Sequence, residues 1–164
     1  MSKNKKIEAE IEVVRKELLS KKAKDDYYLS EEVGALQDLV LYIHSKIETS
    51  MEILIKEDME TITRTIYSEH LISGKSLDYS GLFERLMPIF NSLNFTQKLN
   101  ICGDRGLIPQ KQISKIRQVN NYRNWFAHPH AYSSKMEEYK KQKSYLQVLK
   151  NLKKALEIIK QALS

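Results

Sequence analysis

Ser30-Glu31-Glu32-Val33-Gly34-Ala35-Leu36-Gln37-Asp38-Leu39-Val40-Leu41-Tyr42-Ile43-His44-Ser45-Lys46-Ile47 decides the fold class. Ser30 is a good N-cap, and Glu31 and Glu32 fall in the first turn, where the helix dipole favours negative charge. Val33, Leu36, Val40, Ile43 and Ile47 then recur at helical steps, and the stripe continues through Met51, Leu54, Ile62 and Ile66. Neither Gly nor Pro falls between Ala35 and Ser73. A helix of about 40 residues would run roughly 60 Å. That is long for a small domain, so a straight rod and a bend near Glu57-Asp58, where the stripe thins, both stay open. His44 lies between stripe residues and reads as a satisfied core or surface histidine. His70 reads as a surface or capping one.

The same period recurs on both sides of this stretch. Ile7, Ile11, Val14 and Leu18 mark one face of a helix over residues 4–22. Ser80 can cap a helix whose apolar face holds Leu82, Phe83, Leu86, Ile89, Phe90 and Leu93, with a kink or break expected near Met87 because Pro88 lacks an amide donor. Asn94-Phe95-Thr96 starts a short helix that Gly103 or Gly106 ends. Pro109 suits the first turn of the next, which carries Ile113, Ile116, Val119, Phe126 and Ala127 until Pro129 stops it. After a polar loop, Tyr145, Leu149, Leu152, Leu156, Ile159 and Leu163 form the seam of a last helix over about residues 136–163. No stretch reads as a strand. The expectation is an all-α, up-and-down bundle of five to six helices in one domain spanning residues 1–164.

Bulk composition narrows the function classes. The lone Cys102 excludes an intrachain disulfide, and no Cys/His set has zinc spacing, so no cofactor or metal is expected. With neither a leader-like apolar run nor a membrane-length one, the chain reads as soluble and cytoplasmic. Net charge is +6, from 27 basic and 21 acidic residues. Residues 1–24 hold +4 and residues 135–164 hold +5, which leaves −3 for the middle. Two basic ends permit a polyanionic partner, and they fit two solvated helix faces as well.

Polar chemistry concentrates in Asn120-Asn121-Tyr122-Arg123-Asn124-Trp125-Phe126-Ala127-His128-Pro129-His130-Ala131-Tyr132. Arg123 lies seven residues past Ile116 and four before Ala127, so helical phase puts it on the apolar side, with Asn120 one turn before it. A guanidinium is costly to bury alone. Arg123 therefore pairs with a carboxylate, opens on a groove, or faces a second subunit. Pro129 puts His128 on the exit turn, from which it can swing back toward Arg123. Arg, His and the intervening Asn124 suit an anion and proton-transfer site. Equally, Arg123 can tie helices together while His128 caps one.

Arg123-Asn124-Trp125-Phe126-Ala127-His128 resembles the Arg-x4–6-His signature of the HEPN superfamily, in its Arg-Asn-x-x-Ala-His form. The order of Leu93–Leu99, then Gly106–Pro109, then the Arg-Asn helix is similar to that of several bacterial members. The resemblance covers roughly residues 30–160 in architecture and 93–128 in motif. It implies a helical homodimer in which two Arg/His motifs meet across a cleft. Active members are metal-independent endoribonucleases of toxin or phage-defence kind. In them the ribose 2′-hydroxyl attacks the adjacent phosphate, leaving a cyclic phosphate and a free 5′-hydroxyl.

On this chain the resemblance assigns His128 to proton transfer or phosphate orientation, Arg123 to charge stabilisation, and Asn124 to positioning. RNA and an antitoxin or regulatory protein are the implied partners. A non-catalytic regulatory, nucleotide-binding or scaffold protein is the alternative. His130 offers Arg-x6-His, and His130-Ala131-Tyr132 resembles the His-x-Tyr tail of toxin members. In those members one histidine serves both motifs, whereas here they fall on two. Asn120, Tyr122, Lys115, His130 and Tyr132 are candidate RNA contacts, Tyr122 and Trp125 by stacking. Tyr132 reads otherwise as a loop tyrosine, and Trp125 as a packing residue.

Overall fold

The computed structural model describes residues 30–72, 79–128 and 142–164, together with Ala9, Glu12, Ala131 and Ser134. Among them are five helices and no strand: α1 (Ser30–Ile72), α2 (Tyr79–Asn91), α3 (Phe95–Asp104), α4 (Gln110–Ala127) and α5 (Gln142–Ala162). The fold is an all-α helical bundle. Of the helix expected over residues 4–22, only Ala9 and Glu12 are described, both helical. Pro129, His130, Tyr132 and the expected start of the last helix at residues 136–141 lie outside the described residues, as do the side chains of Val33, His70, Leu82, Phe83 and Tyr145.

Helix α1 is the axis of the molecule. It is continuous over 43 residues, so no break occurs at Glu57-Asp58. Glu57 is a good helix former, and Asp58, a weaker one, is held by Arg105 from beyond α3. Leu36, Leu39, Val40, Ile43, Ile47, Met51, Leu54 and Ile55 are buried against α3, α4 and α5. Past that point the expected stripe is corrected: Ile62 and Ile66 are 36% and 37% exposed, because the covered face of α1 there is the one that holds Met59 and the buried Thr63. Its outer half is met by α2 instead. There Pro88 lies inside a helix that continues to Asn91 rather than breaking near Met87, and Ile89 is exposed rather than packed.

Short local signals place the remaining helices. Asn94 and Gln97 form a reciprocal capping box at the start of α3: Gln97 N donates to Asn94 Oδ1 at 3.1 Å, and Asn94 N donates to Gln97 Oε1 at 2.9 Å. Gly106 supplies the left-handed turn after α3, at φ 70°. Pro109 is the residue just before α4 rather than inside its first turn. Ile113, Ile116, Val119, Tyr122 and Phe126 of α4 pack on Val148, Leu149, Leu152, Ala155, Ile158 and Ile159 of α5 and on α1. Leu163, expected at the end of the α5 seam, is 43% exposed because it lies beyond the helix.

Polar contacts fix the registers. Along the seam between α1 and α3, the Lys98 ammonium meets Glu48 at 3.0 Å and Glu52 at 2.7 Å, while Arg105, just past α3, grips Asp58 through two nitrogens. Residue numbers rise together on both sides, so the two helices run parallel. Burial disfavours the Lys98 charge, but the hydrogen bonds it donates to Glu52 and Glu48 outweigh that and raise its pKa above the ordinary value. Between α4 and α5, Asn151 Nδ2 donates to the Tyr122 hydroxyl at 2.6 Å. Among the described residues, no helix is long and apolar enough to cross a membrane.

Candidate functional site

The motif residues occupy the last two turns of α4 and its cap. Arg123 is half-buried, as its helical phase requires. Among the described residues no carboxylate lies within salt-bridge distance of it. Its hydrogen bond runs sideways instead, from Nη1 to Asn124 Oδ1 at 3.2 Å. Asn124 also holds the other end of the motif, because its backbone carbonyl accepts the His128 amide at 3.1 Å. The two candidate residues are therefore linked through Asn124, one by its side chain and one by its backbone.

His128 leaves the helix with φ −129° and ψ 61°, the departure that a following proline favours, and it is exposed. Among the described residues no hydrogen bond joins its ring to Arg123. The structure thus brings Arg123 and Asn124 together and puts His128 at the adjoining helix end, its ring without a hydrogen-bond partner among the described residues. His130 and Tyr132 lie outside the described residues.

Asn120 extends the cluster to a second helix. Its Oδ1 accepts from Nε2 of His44, on α1, at 3.0 Å. The His44 ring stacks on Phe95, the first residue of α3, with centroids 4.3 Å apart and planes 22° from parallel. Its Nδ1 faces Glu48 Oε2 at 4.0 Å. Burial lowers the His44 pKa, the Asn120 hydrogen bond and Glu48 oppose that, and the Arg123 charge lowers it further. The uncharged Asn124 amide meets the Arg123 guanidinium, and the His44–Asn120 pair stands one turn before it on the same side of the helix.

Histidine 44 is the residue that sequence reading passed over. It sat inside an apolar stripe and its partner is 76 positions away, so no local spacing could reveal the pair. Its reading as a satisfied histidine was sound as far as it went. What spacing could not show was that the satisfying group belongs to the motif helix.

One expected RNA contact lies inside the core. Tyr122 is 2% exposed, with its hydroxyl held by Asn151 and its phenol pushed up by burial, so it is a packing residue and not a stacking platform. Trp125 packs edge-on against it at 5.4 Å and lies half-buried at the rim of the core. Lys115 remains reachable. The Lys154 amine of α5 stands near it and lowers its pKa. These two like charges share a surface, an arrangement that an anion would relieve.

Other reactive groups are disposed elsewhere. Cys102 is buried, and burial together with Asp58 pushes its thiol up to about 12, which keeps it from nucleophilic work. A shallow cleft lined by Glu52, Met59, Met87, Phe90 and Lys98 opens among α1, α2 and α3, and none of the motif residues lines it. Among the described residues, no three His, Cys, Asp or Glu side chains converge as a metal-binding group. Compared with protein-family models, curated proteins and solved structures, the chain finds no match.

Proposed function

We propose that this protein binds RNA at Arg123 and cleaves it as a metal-independent endoribonuclease of HEPN type, with the working site formed between two copies of the chain. One observation carries the reading: Arg123 is half-buried on an apolar helix face, yet among the described residues it has no carboxylate partner. A guanidinium used as a structural tie would have one, since an unpaired charge loses hydration and gains little in return. Left with neutral neighbours, it is complementary to an anion from outside, and its planar fork fits a phosphate.

In this reading the 2′-oxygen forms a bond to phosphorus as the bond to the 5′-oxygen breaks. The 2′-hydroxyl gives up a proton and the departing 5′-oxygen gains one, leaving a 2′,3′-cyclic phosphate and a 5′-hydroxyl. Arg123 stabilises the charge that builds on the non-bridging oxygens. His128, exposed and beside Pro129, moves a proton at one of the two oxygens. Asn124 keeps the Arg123 fork turned toward its end of the helix. A toxin or phage-defence role, and an antitoxin as partner, follow from the same resemblance.

The direct test is purified protein and a labelled RNA in EDTA. His128→Ala and Arg123→Ala are each expected to lower cleavage at least about 100-fold, the usual scale for a lost proton carrier or a lost charge stabiliser. Cleavage that survives in His128→Ala, or that EDTA abolishes, overturns the reading.

A second reading has its own support. Among the described residues no partner orients the His128 ring, whereas acid–base histidines are usually held by a hydrogen bond at the far nitrogen. A non-catalytic regulator or scaffold that grips a nucleotide or RNA phosphate at Arg123 needs no such orientation. Arg123-dependent RNA binding without any cleavage selects it.

A further inference from the structure

Histidine 44 meets the motif helix from the other side. Its side chain is 12% exposed. With Asn120 Oδ1 accepting at 3.0 Å, Nε2 carries the hydrogen in the neutral ring and Nδ1 presents its lone pair toward Glu48, 4.0 Å off. Phe95 stacks on one ring face and fixes its plane. Asn120 lies one turn before Arg123 on the same side of α4, which puts the imidazole and the guanidinium on one side of the helix.

We propose that His44 is the proton-gated second cation of the Arg123 site, charging when a phosphodiester binds there and holding Asn120 in position as it does so. The inference rests on the phosphate-binding reading of Arg123. The groups that act on the imidazole are few. From its own helix comes Glu48, whose carboxylate also receives Lys98 of α3 at 3.0 Å. From α3 comes the uncharged Phe95 ring. From α4 come Asn120 and the charge of Arg123.

In the free protein burial chiefly keeps the imidazole neutral, and the Arg123 charge opposes protonation further. An anion on Arg123 removes that opposition. Protonation then puts a hydrogen on Nδ1, aimed at the Glu48 carboxylate, while the Nε2 bond to Asn120 is kept. Lys98 already occupies Glu48, so the histidine completes a line of charges along α1 rather than creating an isolated one.

Linkage fixes the sign. Because bound phosphate raises the His44 pKa, binding takes up a proton, and affinity must rise as pH falls through the interval between the free and bound values. An opposite charge brought close to a titrating group favours its charged form, and the linked gain in affinity is about tenfold.

The experiment uses a fluorescent 2′-deoxy oligonucleotide. It lacks the hydroxyl needed for cleavage, and its phosphodiesters do not titrate between neutral and mildly acidic pH. Anisotropy gives its Kd across that range for the wild type, His44→Gln and Arg123→Ala, at fixed ionic strength. NMR of the imidazole C–H signals follows His44 in the free and the saturated protein. The expected result is a His44 titration that moves to higher pH on binding, with an affinity gain of about tenfold toward acid pH that His44→Gln loses. His44→Gln keeps a hydrogen-bond donor for Asn120 but cannot titrate, so the readout is how its affinity changes with pH and not its absolute level.

An Arg123-dependent complex in which the His44 titration does not move, or in which His44→Gln runs parallel to the wild type at every pH, overturns the inference and leaves the phosphate reading standing. Binding that Arg123→Ala does not weaken, or no binding at any pH, overturns both.

Discussion

At the residue scale, Arg123 and Lys98 are both drawn out of water, and they are satisfied in different ways. Lys98 is 3% exposed and meets two carboxylates, whereas Arg123 is half-buried and meets an amide. Lys98→Met, which keeps the stem and deletes the ammonium, leaves Glu48 and Glu52 as adjacent like charges. Their side chains are 30% and 43% exposed, so solvent takes up part of the cost. The expected loss is roughly 1–3 kcal/mol in urea unfolding at neutral pH, below that of a fully buried pair. Since folding raises the Lys98 pKa, its contribution is complete below the unfolded lysine value of about 10.4 and is lost as pH rises through the folded one. A wild-type stability that declines in that alkaline window, with a flatter curve for Lys98→Met, checks the sign.

His44 works in the opposite sense. Its folded pKa is lowered, so its contribution is present above the unfolded value of about 6.5 and is lost as pH falls through the folded one. Wild-type Tm should fall between pH 7 and pH 5 by more than that of His44→Gln, and equal declines would count against the burial that lowers it.

At the element scale, α3 is short, at ten residues, and too brief to persist on its own. Its capping box and the turn at Gly106 define its two ends, and Phe95 at its start supports His44. Asn94→Ala removes one half of the box and should cost about 1 kcal/mol. Gly106 has φ 70° with open space around the position of a Cβ, so Gly106→Ala meets backbone strain without a steric clash and should cost about 1–2 kcal/mol. Chemical denaturation reports both. Only the first variant should also perturb the His44 NMR signal, because only the first acts at the end of α3 that carries Phe95.

On the scale of the whole molecule, α1 joins the parts: its first half is core, its outer half meets α2, and its His44 reaches the motif helix. Charge is uneven over the chain, with +5 in residues 135–164 against +6 in all, so an RNA bound near Arg123 can also meet the Lys115 and Lys154 surface between α4 and α5. Affinity for a single-stranded oligonucleotide should therefore fall linearly on a log–log plot against salt, with a slope of about −0.7 per phosphate neutralised. Arg123→Ala should lessen the slope by about one contact, as should Lys154→Ala. An affinity indifferent to salt would remove the case for a polyanionic ligand.

The sequence by itself determined the class of this protein. Helical period, sparse Gly and Pro, the Asn94 cap and the Pro129 stop act over a few residues, so they can be read where they stand, and five described helices follow them. It also determined that Arg123 could not point to open solvent, because phase along one helix is a local property. Only the tertiary structure decided where the long stripe of α1 stops being core, since Ile62 and Ile66 differ from Ile43 and Ile47 in what lies opposite them and not in pattern. It alone decided that Tyr122 is inside, that Arg123 faces amides rather than a carboxylate, and that His44 belongs beside Asn120. Those are contacts between helices, fixed by packing across tens of residues, and no spacing within one segment encodes them.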